Sequence, residues 1–214
     1  MISCEEMKNI DQYAVEILKV PSIVLMENAA IGFVNSLDFI DFNKIAIFCG
    51  VGNNGGDGLA IARQLLIRGK SIHVYIIGDL KRGTKDFRIN LEILENLNIP
   101  ISMITREEEL DEIRDGFSTF DVLIDGIFGI GLSRKVEGVF YQVIALINEV
   151  NIPVYSIDIP SGINGDTGEV MGIGIFAKET VTFHQMKHGL TKASKHTGIV
   201  RIASIGIPID IPIE

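Results

Sequence analysis

Apolar residues along the chain come in short runs separated by glycine-bearing turns, at 45–49, 72–77, 122–128, 153–159, 179–183 and 198–207. Runs of this length, rich in Ile, Val, Phe and Tyr, predict strands buried on both faces, as in a parallel sheet. Between them the apolar positions fall at helical spacing. Residues 57–68 place Leu59, Ala62, Leu65 and Leu66 on one face and stop at Gly69. Residues 84–97 and 138–149 repeat that pattern. Strands alternating with helices predict βαβ units and an α/β, doubly wound, mostly parallel sheet. Ahead of the first strand, residues 4–18 and 22–36 read as two extra N-terminal helices. They either cover a sheet edge or form a dimer face. The acidic Glu107, Glu108 and Glu109 read as the first turn of a helix. The final IPIDIPIE reads as an extended tail.

Length and composition narrow the class. With 214 residues, of which 47% are apolar, the chain suits one domain, 1–214, with a sizeable core. A formal net charge of -9 repels polyanions, so nucleic acid is not an expected partner. A small phosphorylated ligand stays open, because backbone N–H groups at a helix start hold phosphate without a basic surface. No apolar run approaches the roughly 20 residues of a membrane helix. The opening MISCEEMKNIDQY is too polar for a signal peptide. Cys49 reads as a buried strand residue and Cys4 as part of a frayed terminus. Two such cysteines give neither a disulfide framework nor metal spacing, so the expected compartment is the reducing cytoplasm.

Three motifs follow predicted strands, at the sheet edge where open α/β folds bind ligands. In Cys49-Gly50-Val51-Gly52-Asn53-Asn54-Gly55-Gly56-Asp57-Gly58, the glycines at 50, 52 and 55 match the G-x-G-x-x-G spacing of a turn that approaches an anion. Five glycines within nine residues cost chain entropy with no evident packing return, which favours a ligand role over a structural turn. Asp79, after the second strand, either binds a ribose or serves a turn. The second motif, from Asp125 through Gly129, Ile130, Gly131, Leu132, Ser133, Arg134 and Lys135, offers a carboxylate and two cations. Asp125 either ligates a cation, takes a proton or closes an Asx turn. Arg134 and Lys135 either supply local positive charge or stand in solvent. In the third, Asp158-Ile159-Pro160-Ser161-Gly162, Asp158 ends an apolar strand, where an unpaired carboxylate is costly. Ser161 carries an oxygen suited to a hard cation. Carboxylates, amides and hydroxyls without His or Cys suit such a cation rather than zinc. His73 reads as a strand residue, and Gly189 argues against the helix that His184 and His188 would need to share a metal.

These blocks, together with Thr182-Phe183, Lys187 and the leading Met26-Glu27-Asn28-Ala29-Ala30, resemble the NAD(P)H-hydrate epimerase family, also known by the YjeF N-terminal domain, over nearly the whole chain. The resemblance implies a three-layer αβα Rossmann-like fold, commonly a homodimer, with one bound potassium ion (K+) per subunit. It implies contacts to hydrated NADH or NADPH (NADHX or NADPHX) from Asn53, Asn54, Gly55, Gly56 and Asp57, from the loop Gly129 to Lys135, and from Asp158. It places potassium on Asn54, Asp125 and Ser161. It further implies an ADP- or ATP-dependent NAD(P)H-hydrate dehydratase as functional partner, and leaves open whether the chain stands alone or is one domain of a bifunctional enzyme. A proline common in relatives is replaced here by Lys135. Epimerisation of the C6 hydroxyl needs an acid/base, for which Asp158 is the first candidate and Lys187 the weaker. An ordinary NAD(P)-dependent oxidoreductase shares the glycine turn but leaves the Asn-Asn-Gly-Gly-Asp segment unexplained. A non-enzymatic scaffold has no use for the intact site residues.

Overall fold

The computed structural model describes residues 1–39, 41–114 and 116–209. Its strands are β1 (Lys44–Cys49), β2 (Ser71–Ile77), β3 (Ile101–Ile104), β4 (Val122–Gly126), β5 (Val154–Ile157), β6 (Glu179–Phe183) and β7 (Ile199–Ala203). They form one sheet in the order β3-β2-β1-β4-β5-β6-β7, and every pairing is parallel. The helices are α1 (Cys4–Glu16), α2 (Ser22–Ser36), α3 (Asn53–Ile67), α4 (Lys85–Asn96), α5 (Glu109–Arg114), α6 (Gly138–Glu149) and the short α7 (Ser194–Thr197).

β1 shows why the strands read as unbroken apolar runs. Ile45, Ile47 and Cys49 enter one core with α1 to α4, while Ala46 and Phe48 enter another with α5 and α6. A strand covered on both faces has no solvent side on which to alternate. The three-layer αβα arrangement follows from that double burial.

Local signals set the helix ends. Ser3 caps α1, accepting from the Glu6 N–H while the Glu6 carboxylate accepts from the Ser3 N–H, a reciprocal capping box. Gly69, at φ +79°, ends α3 in the left-handed region, and the Lys70 N–H reaches back to Leu65. Asp79 caps a 3-10 turn at Leu80–Arg82 by accepting from the Lys81 N–H, which is the turn role. Glu109 opens α5, and its carboxylate takes the N–H groups of Thr105 and Arg106.

The structure departs from the sequence expectations in several places. β3 is absent from the predicted runs. It is a four-residue edge strand, half-buried over most of its length, so it carries no continuous apolar stretch. β4 and β5 end at Gly126 and Ile157, and the apolar residues beyond them pack loops instead. The N-terminus is tied down rather than frayed. Ile2 bridges Lys187 in parallel, its N–H donates to Met186, and the Cys4 N–H donates to the Asp166 carboxylate at 2.7 Å. Of the extended tail expected over 207–214, residues 210–214 lie outside the described residues.

Four of the five glycines between 50 and 58 do have a packing reason, contrary to the expectation of none. A Cβ on Gly55 would lie 1.7 Å from the Gly50 carbonyl oxygen, and one on Gly50 would lie 2.2 Å from that of Ile127. Gly56 and Gly58 press on Met26 and Cys49. Only Gly52 opens onto free space. Moreover, α3 begins at Asn53, so Asn-Asn-Gly-Gly-Asp is the first turn of a helix and not a loop ahead of one.

Of the leading pair, α2 covers the β7 side of the sheet. α2 packs on α3 and on β6 and β7. Glu27 pairs with Arg63 and Gln64 of α3, and the Asn28 amide donates to Ile205 at 3.0 Å. The Met26-to-Ala30 block packs α2 against its neighbours, while Met26 and Ala29 also reach the cavity at the carboxyl edge of the sheet.

Candidate active site

The strand order reverses between β1 and β4, which opens a crevice at their carboxyl ends. A cavity of about 680 Å³ occupies it. Its walls come from the turn after β1, the loop after β4, the end of β5, α1, α2 and the start of α4. Of the expected cofactor-contacting residues, Asn53, Asn54, Asp57, Gly129, Ile130, Gly131, Leu132 and Asp158 line this cavity. Gly55 and Gly56 lie beneath it, buried in α3. Ser133, Arg134 and Lys135 do not line it and are exposed to solvent.

The α3 N-terminus points its first N–H groups at the cavity. Gly52 is the N-cap and no side chain caps it. Those donors are left for a ligand, and the helix dipole favours an anion there. Gly52 and Gly131 each have open space where a Cβ would stand, so a ligand can approach both backbones.

Behind the cavity lies a dense oxygen cluster. Asp125 is fully buried at the end of β4. It accepts from the Ser156 hydroxyl at 2.8 Å, the Ser161 N–H at 2.8 Å and the Ser161 hydroxyl at 2.5 Å. Burial pushes the Asp125 carboxyl above its usual range, and these hydrogen bonds oppose that rise. The Ser161 hydroxyl also accepts from the Phe128 N–H at 2.8 Å, and the Asn54 amide donates to the Phe128 carbonyl at 2.9 Å. Asn54, Asp125, Ser161 and Phe128 thus form one connected group. Among the described residues no three His, Cys, Asp or Glu side chains gather closely enough to hold a metal. The cluster has one carboxylate with amide, hydroxyl and carbonyl oxygens. That donor set fits a hard cation of low charge, and offers nothing soft.

Asp158 does not stand unpaired, contrary to the sequence expectation. It is buried and sits at φ +64°, in the left-handed region, which turns the chain sharply after β5. Its Oδ1 accepts from Lys187 Nζ at 2.5 Å, the Thr182 hydroxyl at 3.0 Å and the Phe183 N–H at 3.2 Å. All three donors meet Oδ1, so Oδ2 is the oxygen offered to the cavity. Lys187 is fully buried and spends its other protons on the Phe183 carbonyl at 2.8 Å and the Thr182 hydroxyl at 3.1 Å. Lys187 lies behind Asp158, not in the cavity wall.

Three more aspartates line the cavity: Asp11, Asp57 and Asp86. Burial pushes the Asp57 carboxyl well above its usual range, and the charges of Asp158 and Asp11 raise it further. Asp11, from α1, is pushed up to about 6 by burial and by Asp158. No sequence motif marks Asp11. The available signal is its place within the stripe Met7, Ile10, Ala14, where a charged side chain interrupts the buried face of the helix. The stripe itself reads as ordinary core, which is why α1 is not evident as a wall of the site. Away from the cavity, His73 stacks on Tyr75 and meets the Ser102 hydroxyl at 2.9 Å.

Comparison with known proteins identifies the family and the fold. The family model described as YjeF-related protein N-terminus matches residues 22–189. A protein of Anaerococcus prevotii named NAD(P)H-hydrate epimerase is 39% identical over 97% of this chain and 95% of its own length. The bifunctional NAD(P)H-hydrate repair enzyme Nnr of Dictyoglomus turgidum is 38% identical over 99% of this chain, which spans 41% of that protein. The crystal structure of yeast ynu0 shares the fold, with a TM-score of 0.78 at 21% identity, over 92% of this chain and 86% of that one. The chain belongs to the family of YjeF-related protein N-terminal domains.

Proposed function

We propose that the chain is an NAD(P)H-hydrate epimerase, an isomerase that interconverts the R and S epimers of hydrated NADH and NADPH in nicotinamide-cofactor repair. One observation carries this. A single cavity joins an uncapped helix start suited to phosphate with a buried, cation-backed carboxylate suited to proton transfer. Relatives named for this activity match 97% and 96% of the chain.

The substrate has a hydroxyl on C6 of the reduced nicotinamide ring, beside the ring nitrogen. Inversion requires the C6–O bond to break and to form again on the other face. The nitrogen lone pair forms the iminium as protonated hydroxyl departs as water. Returning water then adds as the pair goes back to nitrogen. Asp158 is the group that carries a proton in this exchange. Lys187 and Thr182 fix its Oδ1, so Oδ2 is aimed and the carboxylate cannot swing. The ring becomes cationic on the way, and the Asp158 carboxylate stabilises that charge. The α3 start receives the diphosphate, with Asn53 and Asn54 supplying amide contacts.

Asn54, Asp125 and Ser161, with the Phe128 carbonyl, would hold a potassium ion, whose positive charge would tie the loops after β4 and β5 to α3. The same reading carries a homodimer and a cytoplasmic setting. No helix among the described residues is long and apolar enough to cross a membrane. The bifunctional repair enzymes among the relatives support an ADP- or ATP-dependent dehydratase as the consumer of the S epimer.

The test is to mix the R epimer of NADPH hydrate with purified protein and follow the S epimer by resolving chromatography, in potassium and again in sodium alone. Conversion far above the spontaneous rate, faster in potassium, is the expected result. A folded protein with no conversion overturns the assignment.

A further inference from the structure

Asp158 supplies proton transfer from one wall of the cavity, but an inversion has two faces. The group that departs from one face is replaced by water on the other, so the ring needs a proton donor where hydroxyl leaves and an acceptor where water arrives. The opposite demands call for two groups in unlike surroundings. Asp158, with the Lys187 ammonium at 2.5 Å, is partnered as an anion. Its role on that ground is acceptor.

α1 provides the other candidate. Asp11 sits in the buried stripe of that helix, four residues after Met7 and three before Ala14. It lines the cavity together with Asp57 and Asp158. Among the described residues it makes no hydrogen bond or ion pair with a side chain or backbone group. Its oxygens are nevertheless not sealed, because among the described residues the one fully buried polar side-chain atom without a partner is Arg63 Nε. An unpaired carboxyl half-buried at the mouth of a ligand cavity has no structural task, and placing it there is costly.

We propose that Asp11 is the second catalytic residue of this site, the acid that protonates the departing C6 hydroxyl. The inference rests on the epimerase reading. In the forward step the Asp11 carboxyl proton passes to the C6 oxygen. The C6–O bond breaks with its electron pair going to that oxygen, which leaves as water, and the nitrogen lone pair becomes the N=C6 bond. Water then forms a bond to C6 from the other face, the N=C6 pair returns to nitrogen, and the surplus proton goes to Asp158. One water leaves and one enters, and one proton is given and one taken. The reverse epimerisation uses the same two groups in exchanged roles.

The groups facing Asp11 support a proton held near neutrality. Asp158 brings negative charge from the end of β5, while the carboxyls of Asp57 on α3 and Asp86 at the start of α4 also line the cavity. Lys187 works against them from behind Asp158, and Lys8 stands in the cavity wall on α1 itself. Burial and the Asp158 charge outweigh Lys187, raising Asp11 to about 6. A general acid is most useful when its proton is held near the working pH.

The experiment is kcat and KM for Asp11→Asn against the wild type from pH 5 to 9, with NADPH binding followed by fluorescence as a probe of the intact cavity. Expected are a kcat lower by about 100-fold or more, KM and NADPH affinity within about threefold of wild type, and loss of the limb on which wild-type kcat/KM falls above about pH 6. Asp11→Glu, which keeps the acid, is expected to recover part of the rate and the limb. Wild-type kcat with an unchanged pH profile in Asp11→Asn overturns the proposal. So does a limb that persists in Asp11→Asn but vanishes in Asp57→Asn, or a rate loss matched by an equal loss of NADPH binding. A wild-type protein that fails to epimerise at all removes the underlying reading and this proposal with it, which the wild-type control shows before any variant is compared.

Discussion

Replacing Lys187 by Met isolates the energetics of the pair on which the site is built. Met keeps the unbranched shape of the side chain and removes the ammonium. Lys187 is fully buried and meets three acceptors: Asp158 Oδ1, the Thr182 hydroxyl and the Phe183 carbonyl. The variant leaves the Asp158 carboxylate with a hydroxyl and an N–H but no counter-charge. Removing one partner of a buried pair typically costs about 3–5 kcal/mol, because the remaining charge is uncompensated. At roughly 2–4 °C per kcal/mol for a domain of this size, the midpoint of thermal unfolding falls by roughly 6–20 °C. Urea denaturation of wild type, Lys187→Met, Asp158→Asn and the double variant measures this directly. The double variant carries no charge at either position of the pair, so it should lose much less than the sum of the two singles. Acidification, which neutralises the orphaned carboxylate, should restore part of the stability of Lys187→Met. A loss below about 1 kcal/mol for Lys187→Met, or additive losses in the double variant, would show that the pair is not electrostatically coupled and that Lys187 does not hold Asp158 in place.

Two further expectations concern the fold. Gly55→Ala places a methyl group 1.7 Å from the Gly50 carbonyl oxygen, so α3 must move off the β1 turn; a loss of about 3 kcal/mol or more is expected by denaturation. Gly52→Ala meets nothing within 4 Å and should cost under about 1 kcal/mol, so equal losses for the two would refute the packing account. Asp11→Asn should stabilise the protein in a pH-dependent way. The folded-state carboxyl is raised from 3.8 to about 6, so its ionisation penalises the folded state increasingly as pH rises through that window, and not below it. The variant is therefore expected to match wild type near pH 3.5 and to exceed it by about 1–2 kcal/mol at pH 7.5, after allowance for solvent screening in the open cavity; a stability difference independent of pH would contradict this.

Much of the fold was legible in the chain. The double burial of β1, β2 and β4 imposes apolar runs that no other element type produces at that length, and helical stripes between them identify parallel crossovers. β3 escaped because an edge strand has one neighbour and one covered face. The three strand-end motifs also announced themselves, since polar residues directly after buried strands need partners or ligands. Their division of labour was not visible. Asp125 and Asp158 look alike in sequence, each an aspartate at a strand's end. One proves to be held by serines and the backbone, the other by an ammonium. Nor could the glycine run be sorted, because whether a missing side chain serves packing or a ligand depends on what stands opposite it.

The sequence by itself determined the layered α/β architecture, the parallel sheet and the three polar edges, because periodicity and turn chemistry are local properties written in consecutive residues. The tertiary structure alone decided that α1 walls the cavity, that Lys187 backs Asp158 across 29 positions, and that Asp11 stands unpaired beside them. Those are meetings of residues far apart in the chain. Local pattern carries no signal for such meetings, since each partner taken alone satisfies the ordinary rules of its own helix or strand.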